Sequence, residues 1–244
     1  MQIVEIELDP KEGVRAEAGA MMYMEEEIEM ETSTGGGLLR GFKRAITGES
    51  FFITTFLNKG GGKRHVAFGA PYPGKVIPLD LDQVGGEFLC QKDAFLCAAK
   101  GVEIEVAFTK KLGTGIFGGE GFILQRLRGE GKTFVHAGGT IVKKDLQPGE
   151  RLRIDTGCLV AFSPQVDYDI KFVGGFKNAL FGGEGLFLAE MTGPGPVYIQ
   201  SLPFSRLADR ILAATGAQRG EKKGLNIDLG GGGDLIGDVF GDDE

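Results

Sequence analysis

The chain is poor in the residues from which reactive sites are usually built. It has 3 cysteines and 2 histidines among 244 residues. Cys90, Cys97 and Cys158 show no C-x-x-C spacing and lie in apolar surroundings, so they read as buried free thiols in a reducing compartment. His65 and His136 stand in no H-x-x-x-H pattern, which argues against a histidine-rich zinc site. Positive charge is short as well. Lys and Arg number 27 against 34 Asp and Glu, a net charge of −7. Nucleic-acid binding needs a basic footprint and is disfavoured. Basic pairs such as Lys43-Arg44, Lys110-Lys111 and Lys143-Lys144 fit solvated turns. No apolar run reaches the ~18–20 residues of a membrane span. No basic region followed by an apolar core opens the chain, so a soluble cytoplasmic protein without a transmembrane segment is expected.

Glycine, in contrast, is abundant at 42 residues, with only 9 Pro. The glycines cluster between alternating apolar runs, where they mark turns and strand kinks. One glycine-rich stretch occurs twice. Residues 116–125 read Ile-Phe-Gly-Gly-Glu-Gly-Phe-Ile-Leu-Gln, and residues 180–189 read Leu-Phe-Gly-Gly-Glu-Gly-Leu-Phe-Leu-Ala. A looser copy follows Ile46 as Thr47-Gly48-Glu49-Ser50-Phe51-Phe52. Acidic stretches of period two recur with it. Val102 to Phe108 and Val166 to Phe172 alternate apolar and mostly acidic residues, as half-buried strands do. Glu25 to Glu31 reads as their counterpart and is expected to be strand throughout, with Glu29 in the place of Glu105 and Asp169.

The starts of these units align too. Glu12, Val14, Gly19 and Met21 correspond to Glu150, Leu152, Gly157 and Leu159. In the middle copy Glu87, Leu89, Ala94 and Leu96 take those places. Gln2 to Leu8 is an opening strand, Asp9 to Gly13 a turn, and closing strands hold Val66–Phe68, Thr133–Val135 and Val197–Ile199. The expected fold is all-β, with three internal β repeats in pseudo-threefold symmetry at residues 1–84, 85–147 and 148–203. Phe204, Leu207, Ala208, Ile211 and Leu212 then fall at helical spacing, which predicts a short C-terminal docking helix over 204–215. A glycine- and aspartate-rich tail of 216–244 reads as mobile, and its Gly-Asp steps do not meet a calcium-binding nonapeptide pattern.

The repeated Phe-Gly-Gly-Glu-Gly, the three β units and Ile199-Gln200-Ser201-Leu202-Pro203-Phe204-Ser205-Arg206-Leu207-Ala208 together resemble the altered-inheritance-of-mitochondria, or mitochondrial biogenesis, family. The resemblance spans about residues 1–214. It implies a fold similar to the tryptophan RNA-binding attenuator protein, a β-sandwich or double-stranded β-helix, assembled as a trimer or ring. It brings no catalytic residues, and the attenuator's RNA- and tryptophan-binding motifs are not visible here.

Gly113-Thr114-Gly115-Ile116-Phe117-Gly118 matches G-x-G-x-x-G, but the residues after it alternate as a strand where a phosphate site needs a helix. It reads as a tight loop. Glu49, Glu120 and Glu184 recur at matching places. Converging on a common axis, they would bind a hard cation; more simply, each accepts amide hydrogen bonds from its own glycine turn, the role favoured here. The glycine loops also carry Leu38, Leu39 and Phe42, Ile116 and Phe117, and Phe176, Leu180 and Phe181. Apolar loops must pack on something, which points to contacts between repeats or subunits, with a partner or membrane surface second. The resulting expectation is a non-enzymatic homo-oligomeric scaffold with no cofactor and a surface for a protein partner. A small-molecule, nucleotide or RNA-binding module and a peripheral membrane scaffold are the alternatives.

Overall fold

A computed structural model describes residues 2–17, 19–32, 53–110, 122–172 and 187–215. Chain density divides it into Met1–Leu207 and Ala208–Glu244. The described part of the first unit is predominantly strand. It begins with β1 (Ile3–Leu8), β2 (Gly13–Glu17), β3 (Met21–Met24), β4 (Ile28–Thr32), β5 (Ile53–Asn58) and β6 (Arg64–Gly69). There follow β7 (Lys75–Asp80), β8 (Glu87–Gln91), β9 (Phe95–Ala99), β10 (Glu103–Lys110), β11 (Phe122–Arg128) and β12 (Lys132–Ala137). The last are β13 (Ile141–Leu146), β14 (Arg151–Asp155), β15 (Leu159–Phe162), β16 (Asp167–Phe172), β17 (Phe187–Thr192) and β18 (Gly195–Gln200). Among the described residues one α-helix, α1 (Phe204–Ala214), comes after them.

The strands form four antiparallel sheets. The first has the order β1-β6-β3, the second β4-β5-β2-β9-β12-β7, the third β10-β11-β8-β15-β18-β13 and the fourth β14-β17-β16. Three apolar cores lie between them. Val4, Leu8, Val66 and Phe68 of the first sheet meet Val14, Phe56 and Leu96 of the second. Phe95, Ala98 and Val135 of the second meet Phe88, Leu127 and Ala161 of the third. Leu89, Leu124 and Phe162 of the third meet Ile154, Ile170 and Met191 of the fourth. The central strands of the second and third sheets are thus buried on both faces, and the first and fourth sheets on one. Sequence follows burial. Phe95-Leu96-Cys97-Ala98 is a continuous apolar run, as a strand between two cores requires. β1 alternates instead, with Val4 and Leu8 buried and Ile3, Glu5 and Glu7 exposed.

Aromatic edges fill the cores. Phe56 and Phe68 meet at 5.2 Å and 74°, and Phe162 meets Tyr168 at 5.1 Å and 63°. Both geometries match the quadrupole preference of aromatic rings. Each fully buried side chain of this size contributes about 1.5–3 kcal/mol by leaving water.

The opening strand, the closing strands and the acidic strands at β10 and β16 stand where the sequence places them. The stretch Glu25–Glu31 needs correction. Only Ile28 onward is strand; Glu26 and Glu27 form a turn, with Glu27 at φ 71°. The reason is topological. β3 pairs with β6 in the first sheet, whereas β4 pairs with β5 in the second, so the chain must change sheets between Met24 and Ile28. Ile28 N donates to Glu25 O at 3.3 Å and closes that step. Helix α1 also forms as expected, but the burial expected of a docking helix is absent: none of its residues is buried.

Several backbone polar groups inside the sheets are satisfied by side chains placed for the task. Asn58 is fully buried. Its Nδ2 donates to Leu8 O at 2.9 Å and to Gly62 O at 2.8 Å, while its Oδ1 accepts from Gly60 N at 2.9 Å. One side chain therefore holds the turn that leads from β5 of the second sheet to β6 of the first and ties it to β1. Asn58→Ala should strand these backbone groups at about 1–3 kcal/mol for each one left unpaired. Urea denaturation should show a midpoint lowered accordingly; an unchanged midpoint would mean that water replaces the amide at no cost.

Candidate functional site

Glu49, Glu120 and Glu184, and the loop residues Leu38, Leu39, Phe42, Phe117, Phe176 and Phe181, lie outside the described residues. So does the G-x-G-x-x-G segment. The described residues offer other features, at the two outer sheets and around one buried histidine.

The first outer sheet ends in β3, where Met21 packs against the core but Met22, Tyr23 and Met24 are exposed. Met22 is 54% exposed, Tyr23 45% and Met24 37%. These positions can be matched to β9 and β15 through the neighbouring strand, because all three pair with a following strand across the same bulge. Met21 and Tyr23 bracket it in β3, and Leu159 and Ala161 bracket it in β15. In β9 it falls between the partners of Phe134 and Val135, namely Cys97 and Phe95. The matching residues are closed off from solvent: Leu96, Cys97 and Ala98 in β9 are at 1%, 0% and 0%, and Val160, Ala161 and Phe162 are all at 0%.

Charge surrounds this strip. Tyr23 Oη donates to Glu5, and Lys63 Nζ pairs with Glu7. His65 N donates to Glu25 Oε2 at 2.8 Å, and the ring approaches Glu25 Oε1 at 3.3 Å and Glu7 Oε2 at 3.5 Å. The hydrogen bond and charge of Lys63 hold the Glu7 carboxyl below its ordinary range, and the His65 amide does the same for Glu25. All these groups are at the surface, where such pairs contribute little stability.

The fourth sheet ends in β14. Here Ile154 is buried, but the side chain of Arg153 is 73% exposed. Arg153 Nε donates to Glu190 Oε1 at 2.8 Å, and Lys171 also pairs with Glu190. An open depression of about 500 Å³ lies over these residues, lined by Arg151, Arg153, Tyr168, Asp169 and Glu190 among others. Beside it Asp155 caps a turn, accepting from Gly157 N at 2.9 Å and from Arg206 at 2.7 Å.

His136 is the one deeply buried titratable side chain here with an incomplete set of partners. It is 3% exposed, and neither ring nitrogen makes a full hydrogen bond. Tyr72 stacks edge-on against it at 4.4 Å and meets Phe204 at 5.1 Å. Burial lowers the His136 pKa below its ordinary 6.5, partly opposed by the Tyr72 backbone. Burial, helped by Asp93, pushes the Tyr72 hydroxyl up to about 12. The three cysteines are buried and in no disulfide, and burial pushes the Cys90 and Cys97 thiols up, away from a reactive thiolate.

Among the described residues no three His, Cys, Asp or Glu side chains gather as a metal site. None of the described helices is long and apolar enough to cross a membrane. The sequence pattern did not single out Met22, Tyr23, Met24 and Arg153. The signal was available: four consecutive large apolar residues cannot all face one core in a period-two strand.

The architecture defines an antiparallel β protein of stacked sheets with one C-terminal helix. The chain belongs to the mitochondrial biogenesis AIM24 family, whose model matches residues 1–202. An uncharacterized protein of Streptococcus pyogenes serotype M6 is 30% identical over 214 residues, covering 84% of each chain. The X-ray crystal structure of a protein from Streptococcus pyogenes matches with a TM-score of 0.72 at 27% identity, over 87% of this chain and 94% of that one. The family resemblance read from the glycine motifs and the Ser-Leu-Pro-Phe segment is therefore correct. The family match ends just before α1.

The buried histidine generates a pH prediction. A folded pKa below 6.5 means that the unfolded chain takes up the proton first as pH falls. Stability is then full above 6.5 and declines as pH drops from there toward the folded pKa. His136→Phe should remove this part of the decline. Thermal melts between about pH 7 and pH 5 should show wild type losing more stability than the variant as the pH falls; parallel curves would show that His136 does not titrate with unfolding.

Proposed function

We propose that the protein is a non-enzymatic scaffold of three β units that assembles with further copies of itself in a reducing, cytoplasmic setting. The plan of strand pairing supports three units. The first strand of each set of six pairs with the last, as β1–β6, β7–β12 and β13–β18. The second pairs with the fifth, as β2–β5, β8–β11 and β14–β17. This pattern also supports other unit boundaries than the glycine motifs suggest. β7 and β13 belong with the strands that follow them, so the units begin before residues 75 and 141 rather than at 85 and 148. Register moves the middle unit by one residue, since Val14, Phe88 and Leu152 pair with Phe56, Leu127 and Met191. Phe88, not Leu89, is then the counterpart of Val14, and Glu31 that of Glu105 and Asp169. A sandwich of the attenuator type, related by a pseudo-threefold rule, remains the reading of each unit.

The observation that carries assembly is the exposed Met22-Tyr23-Met24 strip, whose counterparts in β9 and β15 are fully covered. A ligand-binding alternative rests on the open depression of the fourth sheet, but its cations Arg153 and Lys171 are already paired with Glu190. Most of the charged groups described at the two outer sheets, Glu7, Lys63, Lys171 and Glu190 among them, are taken up in pairs, which supports a surface role over acid–base chemistry.

Light scattering at micromolar concentration should give a multiple of the 26.0 kDa chain mass. Met22→Lys combined with Met24→Lys should return a particle of 26.0 kDa with unchanged β content by circular dichroism. A wild-type particle of one chain's mass would end the proposal.

A further inference from the structure

We infer that copies of this chain join head to tail through a β ladder, β14 of one copy pairing with β3 of the next. In this ladder Arg153 faces Met24 and Ile154 faces Tyr23. The inference rests on the oligomer reading above and specifies its interface.

Two such ladders already exist inside the chain. β2 pairs with β9, placing Arg15 opposite Ala98 and Ala16 opposite Cys97. β8 pairs with β15, placing Leu89 opposite Phe162 and Cys90 opposite Ala161. Arg15 and Leu89 correspond through their partners Thr55 and Arg126 on the neighbouring strands. Ala98 and Phe162 correspond through Thr133 and Val197. The two ladders therefore share one register. Carried forward by the same matching, Arg153 takes the place of Arg15 and Leu89, and Met24 the place of Ala98 and Phe162.

β3 and β14 are what remains. Each is a sheet edge, with neighbours β6 and β17 on its paired side. Joining β16-β17-β14 to β3-β6-β1 would make a six-stranded sheet with the strand order of the second and third sheets. Burial points to the same match. Met22, Tyr23 and Met24 are exposed where β9 and β15 are covered, and Arg153 is exposed where Leu89 is 4% exposed.

The ladder also has a place for the arginine. Arg15 Nη1 donates to Val102 O at 2.9 Å across the β2–β9 ladder. Val102 closes the turn after β9, its N donating to Ala99 O, and Ile28 closes the turn after β3 by donating to Glu25 O. Arg153 can thus reach the Ile28 carbonyl of the next copy. Charge agrees along the edge. Lys100 N donates to Gly13 O at 3.2 Å at the end of the first ladder. The corresponding residues in the new one are Glu26 and Arg151, of opposite sign, and opposite charges facing across strands stabilise a ladder. The two surfaces differ from each other, so the contact is heterologous and extends to a ring when its rotation closes.

Cysteine pairing tests the register directly. Residues directly opposite in an antiparallel ladder have Cβ atoms about 4.5–5.5 Å apart, close enough for a disulfide after small adjustment. Both side chains to be replaced are exposed, and the native thiols are buried, so the introduced thiols are the reactive ones. Met24→Cys and Arg153→Cys are made separately, mixed and mildly oxidised. The expected product is a linked pair of twice 26.0 kDa, and the double variant should give a ladder of longer products. Met24→Cys with Leu152→Cys, one residue out of register, should link at least tenfold more slowly.

A disulfide within a single double-variant chain, or dimers formed as readily by Met24→Cys alone, would overturn the inference. Equal rates for the shifted pair would overturn the register. A multimer by light scattering with no cross-link would sink this ladder and leave the oligomer reading standing. A particle of one chain's mass would sink both.

Discussion

The ladders β2–β9 and β8–β15 are the contacts on which the rest of the structure depends. Each carries one sheet from the neighbourhood of one core to that of the next. A sheet placed between two cores must be apolar on both faces, and this dictates residue choice along its strands. Leu159-Val160-Ala161-Phe162 is buried at every position, whereas Asp167 to Lys171 alternates because the fourth sheet has an outer face. The polar groups that remain inside are placed to complete backbone hydrogen bonds. Gln200 shows this well: its Oε1 accepts from Gly138 N at 2.8 Å and its Nε2 donates to Gly157 O at 2.9 Å. Removing water from such amides is tolerable only with partners of this kind.

Much of this was legible from period-two patterning. β1, β10, β16 and the closing strands announce themselves because one face of each meets solvent or a less apolar neighbour. The helix was legible from its 3.6-residue spacing. The stretch at Glu25 misled because acidic residues suit both a solvated strand face and an exposed turn. Only the change of partner, from β6 to β5, distinguishes the two, and partner identity is not written locally. Under the proposed three-unit plan, the alignment of the middle stretch shifts by one residue for a related reason. Phe88, Leu89 and Cys90 are all buried, so apolar character cannot say which of them faces which core. Register there is fixed by pairing with Leu127 and Arg126, far along the chain.

The candidate residues divide the same way. Repetition drew attention to the glycine loops and their glutamates, which lie outside the described residues. The exposed strip of β3 repeats nothing obvious in sequence, since methionine and tyrosine stand where β9 has leucine and cysteine. It becomes conspicuous only when exposure is compared at matching places in three strands. His136 was equally silent. A lone histidine in a strand gives no sign that Tyr72, more than sixty residues away, will enclose it.

The ladder between β2 and β9 also bears on the order in which the protein is made. Val14 finds its partner in Ala99, on the far side of six intervening strands. During synthesis from the N-terminus, β2 can pair with β5 early but has an open edge until β9 has left the ribosome. The same wait recurs for β8, whose partner β15 lies beyond six further strands. Open edges on a nascent chain are the surfaces on which chains aggregate, and long-range pairing prolongs their exposure. The rate of elongation through residues 59–99 therefore sets how long the first edge stays open, and with it the demand this chain makes on chaperones.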